Sequence, residues 1–117
     1  MCGIFAWNNA NTGQTERIDA FYKALSHRGP DARGVNISSE GVLIGNTRLA
    51  INDLSSAGNQ PIVDRASKVS LVMNGEIYNF RELKKELLAV GTKFGSKTDT
   101  EVAVSYTHLT LPTIYSV

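Results

Sequence analysis

Apolar positions fall into short blocks along the chain, and the period within each block predicts an element. Residues 2–7 form an apolar run closed by Asn8 and Asn9, which reads as a buried strand. Ile18, Phe21, Tyr22 and Leu25 recur at helical spacing. His27 and Arg28 suit the negative end of that helix, and Gly29-Pro30 stops it. The following stretch SHRGPDARG reads as a loop. Strands are expected at residues 42–45 and near 49–51, with the loop DLSSAGNQP after them. Val69, Leu71 and Met73 alternate with Ser70 and Val72 in a further strand, which runs into the turn pair Asn74-Gly75, with its easy access to positive φ. Asn79 and Glu82 are spaced as a capping box for a helix whose inner face carries Leu83, Leu87 and Val90, with Gly91 just past its end. The order is β-α-β-β-β-α. Thr98 and Glu101 announce a third helix, but residues 105–117 are rich in β-branched residues and contain Pro112, so that helix is expected to break.

A chain of 117 residues is one domain or a piece of one. Its 42% hydrophobic and 20% charged content is ordinary for a globular protein. A net charge of +1 gives no electrostatic reason to bind nucleic acid or an anionic membrane. No apolar run is long enough to span a membrane, and the N-terminus lacks the pattern of a signal peptide. A single cysteine excludes an internal disulfide. These features together point to a reducing cytoplasm.

That cysteine is residue 2. Start methionine is removed when a small residue follows, which would leave Cys2 with both a thiol and a free α-amine. An α-amine titrates near pH 7.7–8.0, so the residue would carry a nucleophile and its own base. A small apolar core residue is the plainer alternative. Within VMNGEIYN, Asn74 offers a side-chain amide and Gly75 a backbone N–H, a pair able to stabilise an oxyanion, and Glu76 adds a carboxylate. Asn-Gly is equally the mark of an ordinary turn. Arg48, in NTRLAIND, could clamp a carboxylate bidentately or be a solvated charge. Asp99, in SKTDTEV, could meet an ammonium or merely cap a helix. Taken together, these groups suit an α-amino acid with a side-chain acyl group.

Cys2, SHRGPD, TRLAIND, GNQP, NGEIYN and TDTEV in this order resemble the class II glutamine amidotransferases, and more narrowly the N-terminal glutaminase domain of glutamine-dependent asparagine synthetase. The resemblance covers residues 1–104. It implies an α+β fold, the N-terminal-nucleophile hydrolase sandwich of two stacked antiparallel sheets between helix layers, of which this chain would hold the first half. It implies that Cys2 attacks the glutamine amide while its amine shuttles the proton, and that Asn74 and Gly75 hold the oxyanion. Arg48 would bind the α-carboxylate, Glu76 and Asp99 the α-ammonium, and the backbone of Leu49, Ala50, Ile51 and Asn52 would line the pocket. No cofactor is implied in this chain. ATP and Mg2+ would act in a C-terminal synthetase domain, where the released ammonia amidates aspartate. Another class II amidotransferase with a different acceptor, or an inactive glutamine-binding remnant, would keep the same site. The chain departs from the family pattern in two places. Asn46 stands where the family usually has His, and residues 105–117 read as a non-native or out-of-family tail.

Overall fold

The computed structural model describes residues 2–8, 14–50, 54–64 and 68–115, with side chains through residue 107. Strand β1 (Gly3–Trp7) is followed by helix α1 (Gln14–Leu25), which ends in a single 3-10 turn at Ser26–Arg28. Strands β2 (Ala32–Ile37) and β3 (Leu43–Arg48) come next, then a 3-10 turn at Ser56–Gly58 and two short strands, β4 (Ile62–Asp64) and β5 (Val69–Leu71). Helices α2 (Phe80–Ala89) and α3 (Asp99–Tyr115) close the chain. β3 is the central strand of an antiparallel sheet ordered β1-β3-β2, and β4 pairs with β5 in a second antiparallel sheet. The result is a small α+β domain with three helices.

Side-chain alternation decides which face of the first sheet is filled. Gly3 and Phe5 are buried, whereas Ile4 and Ala6 are exposed. β1 is therefore covered on one face only, and the sequence expectation of a buried strand is corrected. Phe5 and Leu43 form the core of that face, with Trp7, Ile18, Phe21, Tyr22 and Leu25 packed against them. Phe5 stacks on Phe21 with ring centroids 4.7 Å apart and meets the edge of Tyr22 at 5.5 Å. The helical stripe seen in the sequence is thus the underside of α1. Thr47 ties helix to sheet, accepting from Gly3 N–H (3.2 Å) and donating to the Leu25 carbonyl (3.0 Å).

Leu49 and Ala50, expected in a strand near 49–51, are not in one, and Ile51 lies outside the described residues, while β3 carries the strand expected at residues 42–45 on to Arg48. Its Gly-Asn-Thr centre hides the continuity, because the ladder is made by backbone rather than by apolar side chains. β2 lies in the stretch expected as a loop. As an edge strand it tolerates Arg33, Gly34 and Asn36, so it lacks the apolar alternation that marks a half-buried strand. β4, with three residues, is too short to show a period. The strand expected over residues 69–73 ends at Leu71, because Met73 N–H turns to the Gln60 side chain (2.7 Å).

The helix ends follow their signals unevenly. Gly91 takes φ +92 and, with Thr92, closes α2 in a Schellman turn: Thr92 N–H reaches Leu87 O (3.0 Å) and Gly91 N–H reaches Leu88 O (3.1 Å). Asn79 occupies the N-cap position but makes no side-chain capping bond; its backbone carbonyl accepts from Glu82 and Leu83 instead. Leu87 is buried, while Val90 is exposed rather than part of the inner face. At α3, Thr98 Oγ1 accepts from Glu101 N–H (3.4 Å). The Glu101 carboxylate reaches past the cap to Gly95 N–H (2.7 Å) and to both Ser96 N–H (2.6 Å) and the Ser96 hydroxyl. The helix does not break at residue 105 but continues to Tyr115. Its first turns are capped and bury Val102 and Val104, and such packing rather than propensity supplies most of a helix's stability in a protein. Among the described residues no helix is long and apolar enough to cross a membrane.

Candidate functional site

One cleft of about 280 Å³ opens where the end of β3, the segment after β5 and the start of α3 converge. That is the small end of the range for small-molecule sites, suited to a metabolite the size of an amino acid. Cys2, Arg48, Leu49, Asn74, Gly75, Glu76 and Asp99 all line it. Seven residues picked from four separate stretches of sequence therefore share one wall. Ala50 is not among the residues lining it; its N–H donates to Asp31 Oδ2 (2.8 Å). Ile51 and Asn52 lie outside the described residues.

Cys2 sits at the mouth of β1, half-buried, with no disulfide partner. Its sulfur accepts from Leu49 N–H (3.4 Å) and lies 3.8 Å from Leu49 O. Register places it there: Gly3 pairs with Thr47 in the ladder, so the residue before β1 meets the residue after β3. Arg48 ends β3 and is 5% exposed, so the reading of it as a solvated charge is wrong. Its Nη1 donates to Ser55 O (2.8 Å) and Asn59 Oδ1 (2.7 Å), which fixes the guanidinium plane against the loop before Gln60. Asp99, also 5% exposed, opens α3 and accepts Ile77 N–H at 2.8 Å. Glu76 and Gly75 are exposed on the rim. Gly75 does not take a positive φ, contrary to what its Asn-Gly pairing suggests.

Asn74 is oriented by Arg28, which the sequence places only at a helix end. Arg28 Nε donates to the Cys2 carbonyl (3.1 Å). With the Asn74 amide turned so that both its groups are satisfied, its Oδ1 accepts from Arg28 Nη2 (3.2 Å) and its Nδ2 donates to the Cys2 carbonyl (3.1 Å). A guanidinium can only donate. Arg28 therefore holds the amide oxygen toward itself and leaves the NH₂ facing Cys2. The neighbouring Gly29 is needed for close approach, since a Cβ there would stand 2.3 Å from Thr47 O. The SHRGPD stretch thus brings Arg28 against Cys2 while the chain passes flush against β3.

Three further lining residues were not expected at the site; the sequence marks Thr98 only as a helix cap. Gln60, Thr98 and Thr100 are all buried. Gln60 Nε2 donates to Thr100 Oγ1 (3.1 Å) while its Oε1 accepts Met73 N–H. The quoted GNQP stretch carried this residue, but a lone Gln before Pro has no chemistry that singles it out. Asn46, on the same face of β3 as Arg48, is fully buried, and neither of its amide atoms has a partner among the described residues. No group of three or more His, Cys, Asp or Glu able to hold a metal ion occurs among the described residues.

Comparison with known proteins places the chain in a family. The amidase chry2 of Gibberella zeae is 35% identical over 122 residues, which cover 92% of this chain and 18% of that protein. A putative glutamine-hydrolysing asparagine synthetase 2 of Methanocaldococcus jannaschii is 41% identical over 105 residues, 74% of this chain and 20% of its own length. Glutamine-hydrolysing asparagine synthetase 1 of Bacillus subtilis is 37% identical over 114 residues, 92% of this chain and 18% of its own. The chain spans about a fifth or less of the length of these curated relatives. A family model described as a glutamine amidotransferase domain matches residues 1–111. This chain belongs to that family, the glutamine amidotransferase domains.

Proposed function

We propose that the cleft is a glutaminase site with Cys2 as its N-terminal nucleophile. The observation that carries this reading is the convergence of Cys2, Asn74, Gly75, Arg48 and Asp99 on one amino-acid-sized cleft. Removal of Met1 leaves the Cys2 α-amine as the base that takes the thiol proton. The thiolate adds to Cδ of glutamine. The Asn74 amide, polarised by Arg28, and the Gly75 N–H stabilise the oxyanion that forms there. The carbon–nitrogen bond then breaks, the protonated α-amine returns its proton to the departing nitrogen, and ammonia leaves. Water attacks the resulting γ-glutamyl thioester, giving its proton to the same amine, and glutamate and the thiol are regenerated.

Arg48 binds the α-carboxylate on this reading. Its guanidinium has five donors in a plane, enough to hold Ser55, Asn59 and a carboxylate together. Asp99 and Glu76 receive the α-ammonium, Asp99 from a buried position and Glu76 from the rim. Leu49 lines the wall beside the sulfur. In the finer fold assignment, the two antiparallel sheets are the first part of an N-terminal-nucleophile sandwich. The acceptor is aspartate: ammonia is passed to a synthetase domain of a longer protein, where ATP and Mg2+ act. The likeness to asparagine synthetases of bacteria and archaea supports this. The match to fungal amidases of similar identity favours a second reading, in which the same site supplies ammonia to a different acceptor.

Substituting Cys2→Ala in the longer protein tests the first reading. Glutamine hydrolysis is expected to fall on the order of 10⁴-fold or more, while amidation of aspartate from added ammonia survives. Equal loss of both activities would contradict the assignment of Cys2 to a separate site. Ammonia-dependent amidation of another acceptor, with none of aspartate, would select the second reading.

A further inference from the structure

Gln60 is a buried side chain that spans the cleft's two halves through both ends of its amide. Its Oε1 accepts Met73 N–H (2.7 Å), immediately before Asn74-Gly75. Its Nε2 donates to Thr100 Oγ1 (3.1 Å), immediately after Asp99. Gln60 is 8% and Thr100 3% exposed, so neither bond competes freely with water. On the far side of the same turn, Asp99 Oδ2 accepts Ile77 N–H (2.8 Å). The segment from Met73 to Ile77 is therefore pinned at both ends to the first turn of α3, with Asn74, held also by Arg28 and the Cys2 carbonyl, between the pins. Asp99 would be claimed by a bound ammonium during turnover. The Gln60 pin involves no group the reaction uses.

We propose that Gln60 is a positioning residue that sets the span between the oxyanion-stabilising turn and the start of α3, and thereby the length of amino-acid side chain the cleft hydrolyses. This rests on the glutaminase reading. Glutamine and asparagine carry the same head and the same amide and differ by one methylene. A rigid span discriminates them because the shorter substrate, anchored at Arg48 and Asp99, cannot bring its carbonyl to Cys2 and Asn74 together. A misplacement of about 1 Å in such a site costs on the order of 10²-fold in rate. A loose span loses that advantage for glutamine without a matching loss for asparagine.

The test uses the longer protein that contains this chain, and compares kcat/KM for hydrolysis of glutamine and of asparagine. Gln60→Met keeps the length of the side chain and removes both hydrogen bonds. It is expected to lower the glutamine-to-asparagine ratio by about tenfold or more. Thr100→Val breaks only the α3 end of the link and is expected to lower the ratio in the same direction. Thr100→Ser keeps the hydroxyl and is expected to restore it. Thr100→Val and Thr100→Ser keep the proposal testable should Gln60→Met fail to fold. An unchanged ratio in soluble Gln60→Met or Thr100→Val protein, whatever happens to thermal stability, overturns the positioning role and leaves the glutaminase reading intact. Absence of glutamine hydrolysis in the unsubstituted protein overturns both.

Discussion

At the scale of single residues, the site assigns different duties to neighbours that look alike in sequence. Asn74 and Gly75 sit side by side on the rim, yet only Asn74 is held by protein contacts. A Cβ on Gly75 would find nothing nearer than Met73 Cγ at 3.9 Å. The fold therefore tolerates a side chain there, and any requirement for glycine comes from the substrate. Gly75→Ala is expected to leave the melting temperature within the small range of neutral surface changes and to reduce kcat by about 10²-fold, the cost of disturbing one oxyanion donor. Thermal denaturation alongside steady-state kinetics would check this. A fall in stability with kcat preserved would mean that Gly75 serves the fold and not the reaction. Arg28 illustrates the opposite case. Its importance is invisible in a list of charges, because it acts by fixing which end of the Asn74 amide faces Cys2.

At the scale of elements, the sheet and α1 form the platform that aligns residues 2 and 49. Phe5, Phe21 and Tyr22 carry that packing. Burial raises the Tyr22 phenol above its ordinary 10.0; the Arg33 guanidinium, 4.9 Å from the ring centre, pulls it back down, and Asp19 pushes it further up. The folded state thus holds the phenolic proton more tightly than the unfolded chain does. This stabilisation is complete below about pH 10 and is lost as pH rises through the folded value. Tyr22→Phe is expected to flatten the alkaline limb of a stability-versus-pH curve measured by denaturant unfolding; an unaltered limb would contradict it. The helices were legible because apolar side chains do the packing: the stripe from Ile18 to Leu25 and the cap at Thr98 both read directly. β2 and the continuity of β3 were not, because backbone ladders hold Ala32–Ile37 and Leu43–Arg48 together while their side chains include Gly, Asn and Arg. The continuation of α3 past residue 105 ran against local propensity and was hidden for that reason. At the site, charged and nucleophilic residues announced themselves by type. Gln60 and Thr100 did not, since neutral hydrogen-bonding groups acquire meaning only from what they touch.

At the scale of the molecule, the chain is flat, with extents of 43 × 33 × 18 Å and a radius of gyration of 15.0 Å. A compact 100-residue domain has about 13 Å. One face of the first sheet is filled by α1, while Ile4, Val35 and Ile37 on its two edge strands are more than a third exposed, as are Val63 of β4 and Leu88 of α2. Unpaired edges with apolar side chains invite association. The 117-residue chain by itself is therefore expected to bind a hydrophobic dye and to self-associate as its concentration rises in light scattering; a dye-free monomer at high concentration would contradict this. The relatives, roughly five times longer, carry more chain that could cover such surfaces. The central claim is that Cys2, freed of Met1, becomes acylated by glutamine. Rapid acid quenching of the longer protein during turnover of isotope-labelled glutamine, followed by mass mapping of the N-terminal peptide, tests it most directly. The account predicts a labelled γ-glutamyl group on a peptide that begins at Cys2. Retention of Met1 in active protein, or label on any other residue, would contradict it.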